Sequence, residues 1–100
     1  MLVEIQVLPS PTGAPPDTYS HVDAAIAAIA ASGVRYEVGA LGTTIEGTPD
    51  QLWPVVRAAH EATLRAGAAQ VVTIVKVAET AGDDGRLTIE RLTTHHRAAR

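Results

Sequence analysis

Residues 34–51 read VRYEVGALGTTIEGTPDQ, and this stretch decides the fold. Val34, Tyr36 and Val38 alternate with Arg35 and Glu37, the period-two pattern of a half-buried strand, and after Gly42 the segment Thr43 to Gly47 is again extended. Glycines at 39 and 42 predict a tight turn, so the two strands form a hairpin. Thr48-Pro49-Asp50-Gln51 then predicts a helix start, with threonine at the N-cap, proline in the first helical position and glutamine at the third, a capping box. A hairpin that runs straight into a helix needs partners on both sides.

Working outward, Leu2 to Leu8 places apolar Val3, Ile5 and Val7 against polar Glu4 and Gln6, which predicts the first strand. Pro9, Pro11, Gly13, Pro15 and Pro16 predict a connecting loop, because proline lacks the amide donor and disfavours helix in the residue before it. Asp17 or Thr18 is positioned to cap a helix whose Val22, Ala25, Ile26, Ile29 and Ala30 recur at helical spacing until Ser32-Gly33. On the other side, the second helix runs to Ala66-Gly67 with Leu52, Val55, Val56, Ala59, Thr63 and Ala66 as its buried stripe, bent early by Pro54. Gln70 to Ala78 is β-branched on both faces, as in a strand covered on both sides. The order βαββαβ is the ferredoxin-like plan: an α+β fold with a four-stranded antiparallel sheet and two helices on one face. Residues 1–80 make this domain. Residues 81–100 are a tail: a turn-rich break at 81–85, then a short C-terminal helix capped by Thr88 and anchored by Ile89 and Leu92, part of the same domain or an oligomer contact.

Composition narrows the function classes. Hydrophobic residues at 46% against 19% charged describe a folded globular chain, and the absence of cysteine removes disulfide frameworks, thiolate nucleophiles and cysteine-based metal sites. The longest apolar run, Ala24 to Ala31, is too short to span a bilayer, and Glu4 stands where a signal peptide is basic, so a cytoplasmic location without membrane insertion is expected. A net charge of -3 disfavours nucleic acid, whose binding relies on Lys and Arg releasing phosphate counterions. An RNA-recognition module of the same topology would want aromatic and basic residues where this sheet has Glu4, Gln6, Thr44 and Glu46.

Strand parity assigns the polar residues to faces. With Val3, Ile5, Val7, Val34, Tyr36 and Val38 toward the helices, the open face receives Glu4, Gln6, Leu8, Arg35 and Glu37, joined by Thr44 and Glu46. On the last strand parity leaves two options, of which the one that keeps Thr73 beneath the helices puts Val72, Ile74 and Lys76 on the open face; either way apolar residues are left over for that face. A bare sheet face with β-branched residues beside charges is an association surface, so a homodimer built face to face or edge to edge is expected. Glu4, Glu37, Glu46 and Lys76 either pair across strands and across a dimer seam, or join Gln6, Thr43 and Thr44 as the polar wall of a small-molecule pocket. The adjacent His95 and His96 point different ways on a helix and lack a third partner, so no metal site is expected there. The glycines from 39 to 47 match no phosphate-binding fingerprint.

Glu4 followed by Val7-Leu8-Pro9, Gly33 to Glu37, Gly42 to Gly47, Ala59-His60-Glu61-Ala62 and Ala66-Gly67 leading to Val71 through Val77 occur in the order and spacing of a known family. The chain resembles the small thiamine-binding proteins of the MTH1187/YkoF-like group over residues 2–78. The resemblance implies ferredoxin-like protomers whose dimers pair into a dimer of dimers and that bind thiamine, or its hydroxymethylpyrimidine moiety, without catalysis and without a cofactor. It implies that Glu46 or Glu37 takes the exocyclic amine, that Thr43 or Thr44 takes a ring nitrogen, that Tyr36 or Trp53 offers a stacking face, and that His60 touches the site. The expected ligand set is therefore Gln6, Glu37, Thr43, Thr44, Glu46, His60 and Lys76, serving vitamin salvage or delivery. The alternative is a small dimeric cofactor-free enzyme, an oxygenase or isomerase with His60 or Glu46 as general base, although no nucleophile–base pair is fixed by spacing.

Overall fold

A computed structural model describes residues 1–82 and 85–98, with side chains through Thr94. Its elements run β1 (Leu2–Ser10), α1 (Ser20–Ala31), β2 (Arg35–Val38), β3 (Thr43–Glu46), α2 (Pro49–Arg65), β4 (Gln70–Ala78) and α3 (Ile89–Ala98). The sheet is antiparallel with strand order β2-β3-β1-β4. This is the ferredoxin-like α+β fold expected from the sequence, with α1 and α2 on one face and the short α3 at the other.

The core lies between the sheet and the two long helices. Val3, Ile5 and Ile45 point down from β1 and β3 onto Ala25 and Ile29 of α1 and Leu52, Val55 and Ala59 of α2. Burying each large side chain contributes roughly 1.5–3 kcal/mol. Buried alanines at 25 and 59 let the helices pack closely side by side. The capping box that starts α2 forms as read: Thr48 Oγ1 accepts the Gln51 amide at 3.3 Å, and Gln51 Oε1 accepts the Thr48 amide at 3.0 Å.

Several local expectations are corrected. β1 does not stop at Leu8 but continues through Pro9 to Ser10, paired with β4 over its whole length. Proline is tolerated there because β3 pairs only with Leu2 to Ile5, and because the Ser10 carbonyl accepts Ala69 N–H, which turns the Pro9 nitrogen to the unpaired side. α1 starts at neither proposed cap. Tyr19 stands at the N-cap without a side-chain bond, and the loop carbonyl of Thr12 accepts the amides of His21 and Val22 instead. That loop is held further by Thr12 Oγ1 donating to the Thr18 carbonyl and by His21 Nδ1–H donating to the Pro11 carbonyl at 2.7 Å. Ala66, read as part of the α2 stripe, is the exposed C-cap, followed by Gly67 at φ 119°. Among the described residues nothing covers the open-face side of β4 at Val72 and Ile74, which are half exposed.

Candidate functional site

The pairing register places four polar residues in one row across the open face. Glu37 lies opposite Thr44, Thr44 opposite Glu4, and Glu4 opposite Lys76, so β2, β3, β1 and β4 each contribute one side chain. Cross-strand neighbours of this kind lie about 4.5–5.5 Å apart at Cβ, which brings the four within reach of one small molecule. Lys76 Nζ stands 3.9 Å from Glu4 Oε1, an ion pair too long for a hydrogen bond and open to water.

This row is the floor of a cavity of about 570 Å³. The turn from Gly39 to Gly42 forms one wall, Leu2 and Ala78 extend the floor, and Ile89, Leu92 and Thr93 of α3 form the opposite wall. The volume falls within the range of about 300–1,000 Å³ that takes vitamin-sized ligands. Gly42 lacks a side chain where the Glu4 side chain passes, since a Cβ there would lie 3.3 Å from Glu4 Cγ and 3.1 Å from the Ile5 carbonyl oxygen. The glycine thus lets Glu4 lie against the turn.

Of the residues expected from the sequence, Glu37, Thr44 and Lys76 meet here, together with Glu4. The others lie elsewhere. Thr43 is turned to the helix side, buried, and with Gln6 it lines a smaller cavity of about 220 Å³ between α1 and the 39–42 turn. His60 also lies on the helix side, where its Nδ1 shares a 2.6 Å hydrogen bond with Thr73 Oγ1 between α2 and β4. Glu46 Oε1 accepts the Ile89 amide at 2.7 Å and has Arg35 Nε at 3.9 Å, and its side chain opens on a separate cleft lined by Met1, Thr48 and Glu79. Neither Tyr36 nor Trp53 lines the large cavity, whose apolar surface comes from Leu2, Leu41, Ile89 and Leu92. Leu2 and Ala78 were within reach of parity, being two residues from Glu4 and Lys76; the α3 wall had no signal, because no spacing rule says where a tail docks.

The chemistry on offer is recognition. Two carboxylates accept from amine donors, a threonine hydroxyl gives or accepts, an ammonium donates, and apolar side chains cover a ring. Among the described residues no group of three or more His, Asp or Glu is arranged to hold a metal ion. The His95–His96 pair lies outside the described side chains.

The family model for thiamine-binding proteins matches residues 3–95. The chain is 39% identical over 75 residues to the UPF0045 protein CPE1503 of Clostridium perfringens, covering 75% of this chain and 77% of that one. A UPF0045 protein of Methanothermobacter thermautotrophicus is 44% identical over 59 residues, 58% of this chain and 60% of its own. Among solved structures, a domain of unknown function (DUF77) from Bacillus cereus superposes with TM-score 0.77 at 40% identity, over 89% of this chain and 82% of that one. A candidate thiamine biosynthesis/salvage protein of Thermotoga maritima superposes with TM-score 0.79 at 27% identity, over 96% and 97% of the two chains. With the match to the family model spanning nearly the whole sequence, the chain belongs to the thiamine-binding protein family.

Proposed function

We infer that this protein binds thiamine, or its hydroxymethylpyrimidine moiety, in the open-face cavity and does so without catalysing a reaction on it. The observation that carries this reading is the row Glu37–Thr44–Glu4–Lys76 at the floor of a cavity of about 570 Å³, in a chain of the thiamine-binding family. An aminopyrimidine presents an exocyclic amine to a carboxylate and a ring nitrogen to the threonine hydroxyl. The thiazolium carries a permanent positive charge that the acidic floor favours. No cofactor is required for binding of this kind, and a role in cytoplasmic vitamin salvage or delivery fits it. No helix among the described residues is long and apolar enough to cross a membrane.

Past the cavity the open sheet face continues to Leu8, Val72 and Ile74, all about half exposed. In this reading that apolar strip is the contact between copies of the chain, as a homodimer or a dimer of dimers, and it closes the site's remaining open side.

Calorimetric titration with thiamine and, separately, with hydroxymethylpyrimidine tests the assignment. Saturable micromolar binding, about −8 kcal/mol, is expected, with Glu37→Gln and Thr44→Val each weakening it about tenfold. The ligand should be recovered unchanged. No heat from either compound at millimolar concentration would sink the reading.

A further inference from the structure

Glu46 is, with Glu37, one of two acidic residues that the family resemblance marks for a ligand's amine, yet the structure employs it differently. Its Oε1 accepts the backbone N–H of Ile89 at 2.7 Å, from a residue 43 positions further along the chain. Ile89 is the first residue of α3, so a carboxylate sits on one of the amides that a helix start leaves without an intrahelical partner, where the helix dipole also favours negative charge. Thr88 Oγ1 serves a second such amide, that of Arg91, at 3.0 Å. The Ile89 side chain beside this bond is 3% exposed. Hydrogen bond and buried side chain together fix where α3 begins, and one turn on, Leu92 and Thr93 reach the cavity.

We propose that Glu46 is a positioning residue for ligand binding: it does not touch the ligand but latches α3, so that Ile89, Leu92 and Thr93 wall the cavity opposite the 39–42 turn. This rests on the reading of that cavity as the vitamin site. Glu46 opens on the neighbouring cleft rather than on the cavity, and its Oε1 is already engaged. What the latch requires is a hydrogen-bond acceptor at this position. Glutamine retains one and alanine does not.

The test compares the full chain with Glu46→Ala, Glu46→Gln and Leu92→Ala, reading thiamine affinity by calorimetry and the amide exchange of α3 without ligand. Glu46→Ala should speed exchange across α3, leave the β1 and β4 amides protected, and weaken thiamine about tenfold, the scale of a lost helix cap. Glu46→Gln should restore both to within about threefold of wild type. Leu92→Ala, at a half-exposed position that the sheet does not depend on, should weaken thiamine several-fold with the Ile89 amide still protected. Weakened binding in Glu46→Ala with α3 exchange unchanged would make Glu46 a direct ligand contact and overturn the proposal. Unchanged affinity in Leu92→Ala would overturn it as well. If wild type itself gives no heat with thiamine, the site reading falls and takes this one with it; if wild type binds and only the link between Glu46, α3 and affinity is missing, the site reading stands alone.

Discussion

Glu61 sits between two arginines on the outer side of α2, with Arg57 Nε at 2.5 Å and Arg65 Nη2 at 3.0 Å, each one helical turn away. The hydrogen bond and charge of Arg57, with a smaller part from Arg65, hold its carboxyl below the ordinary value of 4.5, while Arg57 is raised in return. A carboxyl whose folded value is depressed stabilises the fold above its ordinary value and loses that contribution as pH falls through the depressed one. Glu61→Gln should therefore be slightly less stable than wild type at about pH 7 in low salt, and the difference should fade as pH falls through the depressed value of the carboxyl and shrink in high salt, as urea melts at each condition would show. The group is exposed, so the effect is small. At the binding site the same single-residue view shows what alternation can and cannot reveal. It put Glu4, Glu37 and Thr44 on one face and left Lys76 open between the two faces, and register brought all four into one row. Thr43, adjacent to Thr44 in a strand, necessarily faces the other way, and His60 belongs to a helix packed on that other side. Glu46 has the right parity but an engagement that lies 43 residues away, beyond any local rule.

Elements were legible where their boundaries carry their own chemistry. α2 announces itself through Thr48, Pro49 and Gln51, and both reciprocal hydrogen bonds of the box are present. Thr48→Ala should cost about 1 kcal/mol in urea unfolding with an unchanged m-value, and adding Gln51→Ala should cost less than the sum of the two, because each bond helps to hold the other partner. α1 was harder to delimit, since its first amides are satisfied by the Thr12 carbonyl from a proline-rich loop, and a backbone acceptor leaves no mark in sequence. The end of β1 was hidden for the opposite reason. Pro9 reads as a strand breaker, and only the shortness of β3 shows that the ladder does not need its missing amide. α3 has just two apolar anchors, of which Ile89 is buried and Leu92 is 54% exposed. Where such a weak element docks is set by one capping bond and one isoleucine rather than by periodicity.

The molecule as a whole presents one face covered by two helices and another on which Leu8 is 45%, Val72 50% and Ile74 52% exposed. The β-branched character of β4 on both sides makes sense when that second face is covered by a further copy, which is the oligomer proposed above. Val72→Glu and Ile74→Glu together should then reduce the sedimenting species to a monomer with unchanged far-UV circular dichroism, since neither side chain enters the core; a wild-type chain that sediments as a monomer at micromolar concentration would defeat the idea. The architecture also has a temporal side. β1 finds its longest partner in β4, nine paired positions that join residues 2–10 to residues 70–78. At a synthesis rate of about 5–20 residues per second, the first strand leaves the ribosome several seconds before the strand it must lie against. During that interval the ladder open to β1 is the short one with β3, from Leu2 to Ile5, and α1 and α2 have less than a full sheet to cover. Closure of the described sheet is thus timed by β4, and until that strand arrives the nascent chain shows proteases and chaperones a half-built sheet.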